Sequence, residues 1–279
     1  MSDERPVPRR GRSRTLTIAR TDLRQLAQSP DFWAPMVVLA LLFFVVVPAI
    51  LLIVLTRLPE QGVAASVSNA LELMPQQAET RVLGDNPVAR TSYALAVYLF
   101  APLAVIVPMT ISTAVGANCL VGEREKGTGE WLAQTPATER EIYLGKLIAS
   151  LLPGYLTTLV GFGLYSLLVN LIVGPRVGGW FFPTRDWWIL MLFVIPPFLA
   201  LTLSVVLRLS GRVRSAAAAQ QASGLVTLPL ISLSYAQSSG VLFGTKSVFI
   251  FGVLAWVGAA YGLVRGQKAV QRGRLLGID

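Results

Sequence analysis

Long apolar stretches without Asp, Glu, Lys, Arg or His recur along the chain and indicate its architecture. Crossing a hydrocarbon core of about 30 Å takes about 20 helical residues. Six stretches approach or exceed that length, at 32–56, 91–122, 147–175, 187–207, 215–245 and 247–264. Strict alternation is absent and the stretches are longer than the strands of a membrane barrel, so each predicts a helix. The pattern therefore predicts an all-α, polytopic membrane protein with six transmembrane helices.

The distribution of charge adds an orientation to this architecture. The chain is 53% hydrophobic and only 14% charged, a composition outside the range of soluble domains. If the N-terminus is inside, 18 of the 24 lysines and arginines lie in inner segments, as the positive-inside rule requires. We therefore expect both termini to be cytoplasmic. The net charge of +9 then reflects topology and anionic inner-leaflet lipid, and we expect no nucleic-acid partner.

The segments outside the spans divide the chain further. Residues 1–14 are rich in Pro, Arg and Ser and predict a disordered basic tail. Residues 15–30 predict an amphipathic helix on the inner membrane surface. The transmembrane domain covers 31–266, with an outer loop at 57–92, and 267–279 forms a cytoplasmic tail. The amphipathic helix has an apolar and a polar side, formed in turn by Leu16, Ala19, Leu23, Leu26 and Ala27, and by Arg20, Asp22, Arg24 and Gln28.

The role of two of these regions stays open. The amphipathic helix can act as a lipid-bound anchor, as a docking site for a partner, or as both. The second outer loop, at 174–186, and the residues after it carry several aromatic side chains, namely Trp180, Phe181, Phe182, Trp187 and Trp188. Aromatic side chains at that depth are typical of an interfacial belt. A role in substrate gating is the alternative.

Several chemistries are excluded by the residues that the chain lacks. It has no histidine, and none of its spans holds an ionisable residue at depth, which argues against a proton- or sodium-coupled carrier. A zinc protease would need histidine ligands. No Gly-rich Walker loop occurs, so the chain cannot cradle ATP phosphates itself. We therefore expect no catalytic site, metal or cofactor in this chain, and energy must come from a separate ATPase.

The segment 121–146 is where such a partner would bind, because it concentrates nine charged residues between two spans. Gly127-Thr128-Gly129 interrupts the helix that leaves the second span, and Thr128 can cap a short helix. Thr135-Pro136 ends that helix. Trp131 gives it an apolar anchor within a charged rim, which is typical of a docking surface. A solvated loop with ordinary caps is the alternative interpretation.

A capping box is predicted directly after this short helix. Thr138 and Glu141 have the required spacing, in which the hydroxyl and the carboxylate each accept from a backbone N–H group at the start of the third span.

The same segment carries a family resemblance. Glu123-Arg124-Glu125-Lys126-Gly127-Thr128, Gln134-Thr135-Pro136, residues 138–142 and Gly145-Lys146 resemble the motif between the second and third spans of type-2 ABC exporter permeases. In that family the motif includes the coupling helix, which binds in a groove of the ATP-binding subunit. The resemblance assigns the ATPase-coupling region to Glu123, Arg124, Glu125, Lys126, Gly127, Thr128, Glu130, Trp131, Thr135, Pro136, Glu139 and Arg140. Glu141, Gly145 and Lys146 would shape the start of the third span. Gly129 departs from the family, which usually has Leu there.

The resemblance also implies an assembly and an activity. Two ATPase subunits, which bind ATP and Mg, would join this permease and a second one, identical or homologous, to export a substrate along the permease interface. Candidate path residues are Thr110, Thr113, Asn118, Thr227 and Ser232, with Ser112 and Ser234 nearby. The excess of arginine over lysine indicates a bacterial source, hence an inner-membrane location. The alternative function is a membrane scaffold or regulatory subunit that recruits an ATPase without moving a substrate.

Overall fold

Every regular element of the described chain is a helix. The computed structural model describes residues 11–57, 82–125, 134–210 and 245–266, together with positions 218, 221, 224 and 228. The described residues are 89% helical and contain no strand. The helices are α1 (Gly11–Gln28), α2 (Pro30–Leu41, Leu42–Val46 and Val47–Arg57), α3 (Pro87–Ala94, Leu95–Leu99 and Ala101–Glu125), α4 (Glu139–Ile172), α5 (Gly174–Val177), α6 (Arg185–Ile189, Leu190–Val194 and Ile195–Ser210) and α7 (Thr245–Gly266). The all-α prediction is therefore confirmed.

Four of the described helices are long and apolar enough to cross a membrane. They are Pro30–Arg57, Pro87–Asn118, Glu139–Ile172 and Arg185–Leu209, which overlap the first four predicted spans. The predicted fifth span, 215–245, lies outside the described residues except at four helical positions and the first residue of α7. The sixth corresponds to α7, whose described apolar stretch, Gly252–Arg265, is shorter.

Several helices begin before the apolar stretch that predicted them. α1 begins at Gly11, inside the predicted tail, and residues 1–10 lie outside the described chain. α3 begins at Pro87, so the end of the predicted loop 57–92 is helical. The side chain of Asn86 caps this helix, accepting from the amide of Ala89 at 2.7 Å, and Pro87 occupies its first turn. The Asn86 cap, rather than the first apolar residue, thus sets the start of α3.

Three of the described helices each contain a π-helical turn shortly before a proline. Leu42–Val46 precedes Pro48, Leu95–Leu99 precedes Pro102, and Leu190–Val194 precedes Pro196. A proline ring has no N–H to donate and clashes with the carbonyl four residues earlier, so the hydrogen-bond ladder must adjust there. The extra residue of a π turn is one such adjustment. Pro102 in α3 and Pro196 in α6 thus coincide with interruptions of the α-helix.

Backbone carbonyls left without a partner by these interruptions accept hydrogen bonds from side chains of other helices. In a π turn the carbonyl of residue i pairs with the amide of residue i+5, and that residue is Pro102 for Val97 and Pro196 for Met191. The indole N–H of Trp187 donates to the Val97 carbonyl at 2.8 Å. The hydroxyl of Tyr155 donates to the Met191 carbonyl at 3.1 Å. Aromatic donors therefore satisfy the carbonyls that proline cannot.

The loop before α6 closes one end of the helix bundle with aromatic side chains. Phe182 and Trp187 are buried, and their rings pack against Phe162 and Tyr165 of α4. The amide of buried Asn170 holds this loop to α4, accepting from the backbone amide of Phe182 at 3.1 Å. An interfacial belt was predicted for the whole aromatic set, and this is wrong for Phe182 and Trp187, which are core residues. Trp180 and Trp188 are exposed, at 73% and 48%.

Candidate functional site

The structure describes the two ends of the predicted coupling segment 121–146. Glu123, Arg124 and Glu125 form the end of α3, as predicted, and their side chains lie outside the described part. The short helix that was predicted from Thr128 also lies outside it, as do Lys126, Gly127, Thr128, Glu130 and Trp131. The described chain resumes at Gln134, and Pro136 and Arg140 are exposed while Thr135 and Glu139 are half-buried.

The predicted capping box at the start of α4 is confirmed. The amide of Glu141 donates to the hydroxyl of Thr138 at 3.3 Å. In return, the amide of Thr138 donates to Oε2 of Glu141 at 2.8 Å. These reciprocal bonds satisfy two backbone donors that would otherwise have no partner. They fix the direction in which the chain passes from the coupling segment into α4.

α1 contacts the start of α4 and the residues just before it. The guanidinium of Arg14 donates to the carbonyl of Pro136 at 2.9 Å. One turn further along, α1 and α4 approach each other closely at Gly145, where a Cβ would lie 2.8 Å from Cγ2 of Ile18. A glycine is needed at this position because any larger residue would push the two helices apart.

A buried ion pair completes the contact between α1 and α4. The ammonium of Lys146 lies 2.9 Å from Oδ2 of Asp22, and the two side chains are only 2% and 13% exposed. Asp22 was predicted on the polar, outward side of the amphipathic helix, and this is wrong. A buried ammonium requires a counter-charge, and Asp22 turns toward α4 to provide it.

The same stretch of α4 is hydrogen-bonded to α6, and α6 is hydrogen-bonded to α7. The hydroxyl of buried Tyr143 donates to Oγ of Ser204 in α6 at 3.0 Å. Around this bond lies an apolar cluster formed by Ala137, Ile142, Tyr143, Leu147, Leu203 and Leu207. The guanidinium of Arg208 in α6 donates to the carbonyl of Gly262 in α7 at 3.0 Å. A displacement of the start of α4 would therefore be transmitted to α1, α6 and α7.

The candidate substrate-path residues in α3 bond to their own helix. Thr113 is buried and donates to the Met109 carbonyl at 2.7 Å. Thr110 is exposed and donates to the Ile106 carbonyl at 2.8 Å. The side-chain amide of half-buried Asn118 donates to the Ala114 carbonyl at 2.9 Å. Thr110 is thus the most accessible of the three. The remaining two candidates, Thr227 and Ser232, lie outside the described residues.

Sequence reasoning missed the residues that support the coupling segment from other helices. Arg14, Tyr143 and Ser204 were not singled out, because a contact across the fold leaves no local pattern. Asp22 did carry a signal, since it is the one acidic residue within Gly11–Gln28. A lone carboxylate on a basic helix indicates a specific cationic partner.

Comparison with known proteins gives one match that covers most of the chain. Residues 16–246 match the family model described as ABC-2 family transporter protein. The matched region includes most of α1, all of α2 to α6 and the whole segment 121–146. No curated protein matches the chain.

Proposed function

The chain belongs to the ABC-2 family of transporter proteins and is a permease component of an ABC transporter, and on that premise we propose that segment 121–146 couples it to a separate ATPase. The observation that carries the proposal is the anchoring of the α4 start. The capping box fixes its direction, Arg14 holds Pro136, and Asp22 pairs with Lys146. Because of these contacts, a partner that displaces segment 121–146 also displaces the start of α4.

Movement of the α4 start would be transmitted to the neighbouring helices. Tyr143 and its apolar cluster join α4 to α6, and the buried contacts between α3, α4 and α6 make these helices a packed unit. Closure of the ATPase on ATP would displace the α4 start and tilt this unit as a rigid body. The π turns in α3 and α6 are the points at which the helices change direction most readily.

The complete transporter in this proposal contains two permeases and two ATPases. The second permease is identical or homologous to this chain, and ATP and Mg bind to the ATPases. This chain contributes no catalytic group and no cofactor of its own. Each permease crosses the inner (cytoplasmic) membrane of a bacterium six times, with both termini in the cytoplasm. That orientation places segment 121–146 on the side where ATP is available.

The cargo moves outward along the interface between permeases. The predicted path residues Thr110, Thr113, Asn118, Thr227 and Ser232 offer hydroxyl and amide groups among apolar neighbours. Thr110 supports this reading because it is exposed on α3. Such a lining suits a lipidic, peptide or amphipathic substrate. A scaffold that recruits an ATPase without moving a substrate is the competing function.

Reconstitution of the permease with its ATPase in proteoliposomes tests the proposal. Glu123→Ala and Gly127→Pro should insert normally yet lose transport. Asp85→Ala is a suitable control, because it removes an exposed carboxylate from the segment before α3, and it should transport like the unmodified protein. Wild-type transport by both coupling variants would contradict the assignment. ATP hydrolysis that no candidate cargo stimulates would favour the scaffold.

A further inference from the structure

α1 presents three different faces around its axis. One face packs on α4 and contains Ala19 and Asp22, which are buried or nearly so. The remaining surface is exposed except at half-buried positions such as Leu23, and it is divided into an apolar flank and a polar flank. The apolar flank is formed by Leu16, which is 61% exposed, with Leu23 and Ala27. The polar flank is formed by Thr17, Thr21, Gln25 and Gln28.

Two exposed arginines occupy the boundary between these flanks. At 3.6 residues per turn, Arg20 and Arg24 are neighbours on one side of the helix, with Leu16 and Ala27 to one side and Thr17 to the other. The order apolar, cationic, polar around the helix matches the order of acyl chains, headgroups and water at a membrane surface. Arginine is suited to the intermediate level, because its stem lies on apolar surface while its guanidinium reaches phosphate.

The position of α1 in the chain agrees with such a surface. α1 ends at Gln28, and the membrane-spanning helix α2 begins at Pro30. Only Ser29, in an extended conformation, separates the two helices. The C-terminal end of α1 is therefore held at a membrane boundary.

The charges of α1 leave this pair of arginines without an acidic partner on the helix. Asp22 is the only acid of α1 and is turned toward Lys146. Within the described residues, no carboxylate forms an ion pair with Arg20 or Arg24. Like charges four residues apart on a helix repel each other, and an anion between them removes that cost. A guanidinium also matches the geometry of a phosphate group, with two parallel N–H donors.

We propose that Arg20 and Arg24 together bind the phosphate headgroup of an anionic phospholipid, with Leu16 and Ala27 against its acyl chains. The bound lipid presses α1 onto α4. Since α1 also holds Pro136 through Arg14 and Lys146 through Asp22, lipid occupancy supports the start of α4. This site does not depend on which ATPase or substrate the permease serves.

Native mass spectrometry of the full chain in detergent tests the proposal directly. The protein is titrated with phosphatidylglycerol and, separately, with phosphatidylcholine. Arg20→Gln/Arg24→Gln should weaken phosphatidylglycerol binding by about 30-fold, from the contributions of two surface arginines, and leave phosphatidylcholine binding unchanged. The matched control, Arg57→Gln/Arg185→Gln, removes two exposed arginines from the ends of α2 and α6 and should have little effect. Unchanged binding in the first variant, or equal losses in both, would overturn the proposal.

Two further measurements separate lipid binding from other roles of this face. Arg20→Lys/Arg24→Lys keeps both charges but loses the paired N–H donors, so its phosphatidylglycerol affinity should lie between those of the unmodified protein and the glutamine variant. A loss as large as that of the glutamine variant would mean that the two positive charges contribute nothing to binding and would contradict recognition of an anionic headgroup. The ATPase should still copurify with the glutamine variant. If instead the ATPase is lost while lipid affinity is kept, the surface belongs to the ATPase and the proposal is wrong.

Discussion

The ammonium of Lys146 lies 2.9 Å from the carboxylate of Asp22, and both side chains are almost fully enclosed between α1 and α4. The two residues come from α1 and from the end of segment 121–146. The pair therefore joins the part of the chain before the first span to the helix that leaves the coupling segment. Because neither charge can reach water easily, each depends on the other for solvation.

Removing one member of this pair should be far worse than removing both. Lys146→Met or Asp22→Leu alone removes the opposite charge 2.9 Å from a buried one, which costs about 3–5 kcal/mol of unfolding free energy. Lys146→Met/Asp22→Leu replaces the pair with apolar contact and should recover most of that stability. Thermal unfolding of the purified variants, monitored by size-exclusion chromatography after heating, compares their stabilities. Additive losses in the double variant would contradict a direct pairing.

The capping box should contribute to stability locally. Thr138→Ala removes the hydroxyl that accepts from the amide of Glu141, and it should cost about 1 kcal/mol. Hydrogen exchange should accelerate at the first turn of α4 and remain unchanged at its far end. Thr138→Ser keeps the acceptor and is the matched control. Equal exchange in the alanine and serine variants would show that the cap has no role.

The close approach at Gly145 predicts a steric effect on the contact between α1 and α4. Gly145→Val should displace α1, because even a Cβ would lie 2.8 Å from Ile18, and transport should fall with it. Gly163→Val is the control, since among the described residues no atom outside its own stretch of helix lies within 4 Å of a Cβ at that position. Proteoliposome transport compares the two. Ile18→Ala should partly rescue the first variant, and a failure of both Gly145→Val and its control would point to helix propensity instead.

The hydrogen bond from Trp187 to α3 predicts a distinction between two adjacent tryptophans. Trp187→Phe keeps a buried ring but leaves the Val97 carbonyl, five residues before Pro102, without its indole donor. An unsatisfied buried carbonyl costs about 1–3 kcal/mol. Trp188→Phe alters a half-exposed ring and should change stability little. A melting temperature lowered equally by both substitutions would contradict the role of the indole N–H.

The features that sequence did predict are those with a local pattern. Apolar stretches located four helices, and the spacing of Thr138 and Glu141 predicted a capping box that the structure contains. Asp22 could not be placed correctly in the same way, because amphipathic periodicity assigns every carboxylate to the polar side. Its inward position depends on Lys146, which is distant in sequence. The match to the ABC-2 family agrees with the motif at 123–146 and rests on far more of the chain.

The aromatic residues show the same limit. Trp187 and Trp188 are adjacent in sequence, and nothing local distinguishes a core side chain from an interfacial one. Their difference arises from the π turn of α3, whose carbonyls require a donor, and from the rings of α4 against which Trp187 packs. Pro102 and Pro196 mark the places at which α3 and α6 are interrupted. They did not predict which side chains would satisfy the freed carbonyls.

Site-specific photo-crosslinking tests the coupling of this permease to its ATPase most directly. A photoreactive amino acid replaces exposed Arg140, at the start of α4, and in a second variant exposed Arg185, at the start of α6. Our account predicts that the ATPase is captured from position 140 and not from position 185. Capture from 185 alone, or equal capture from both, would contradict it.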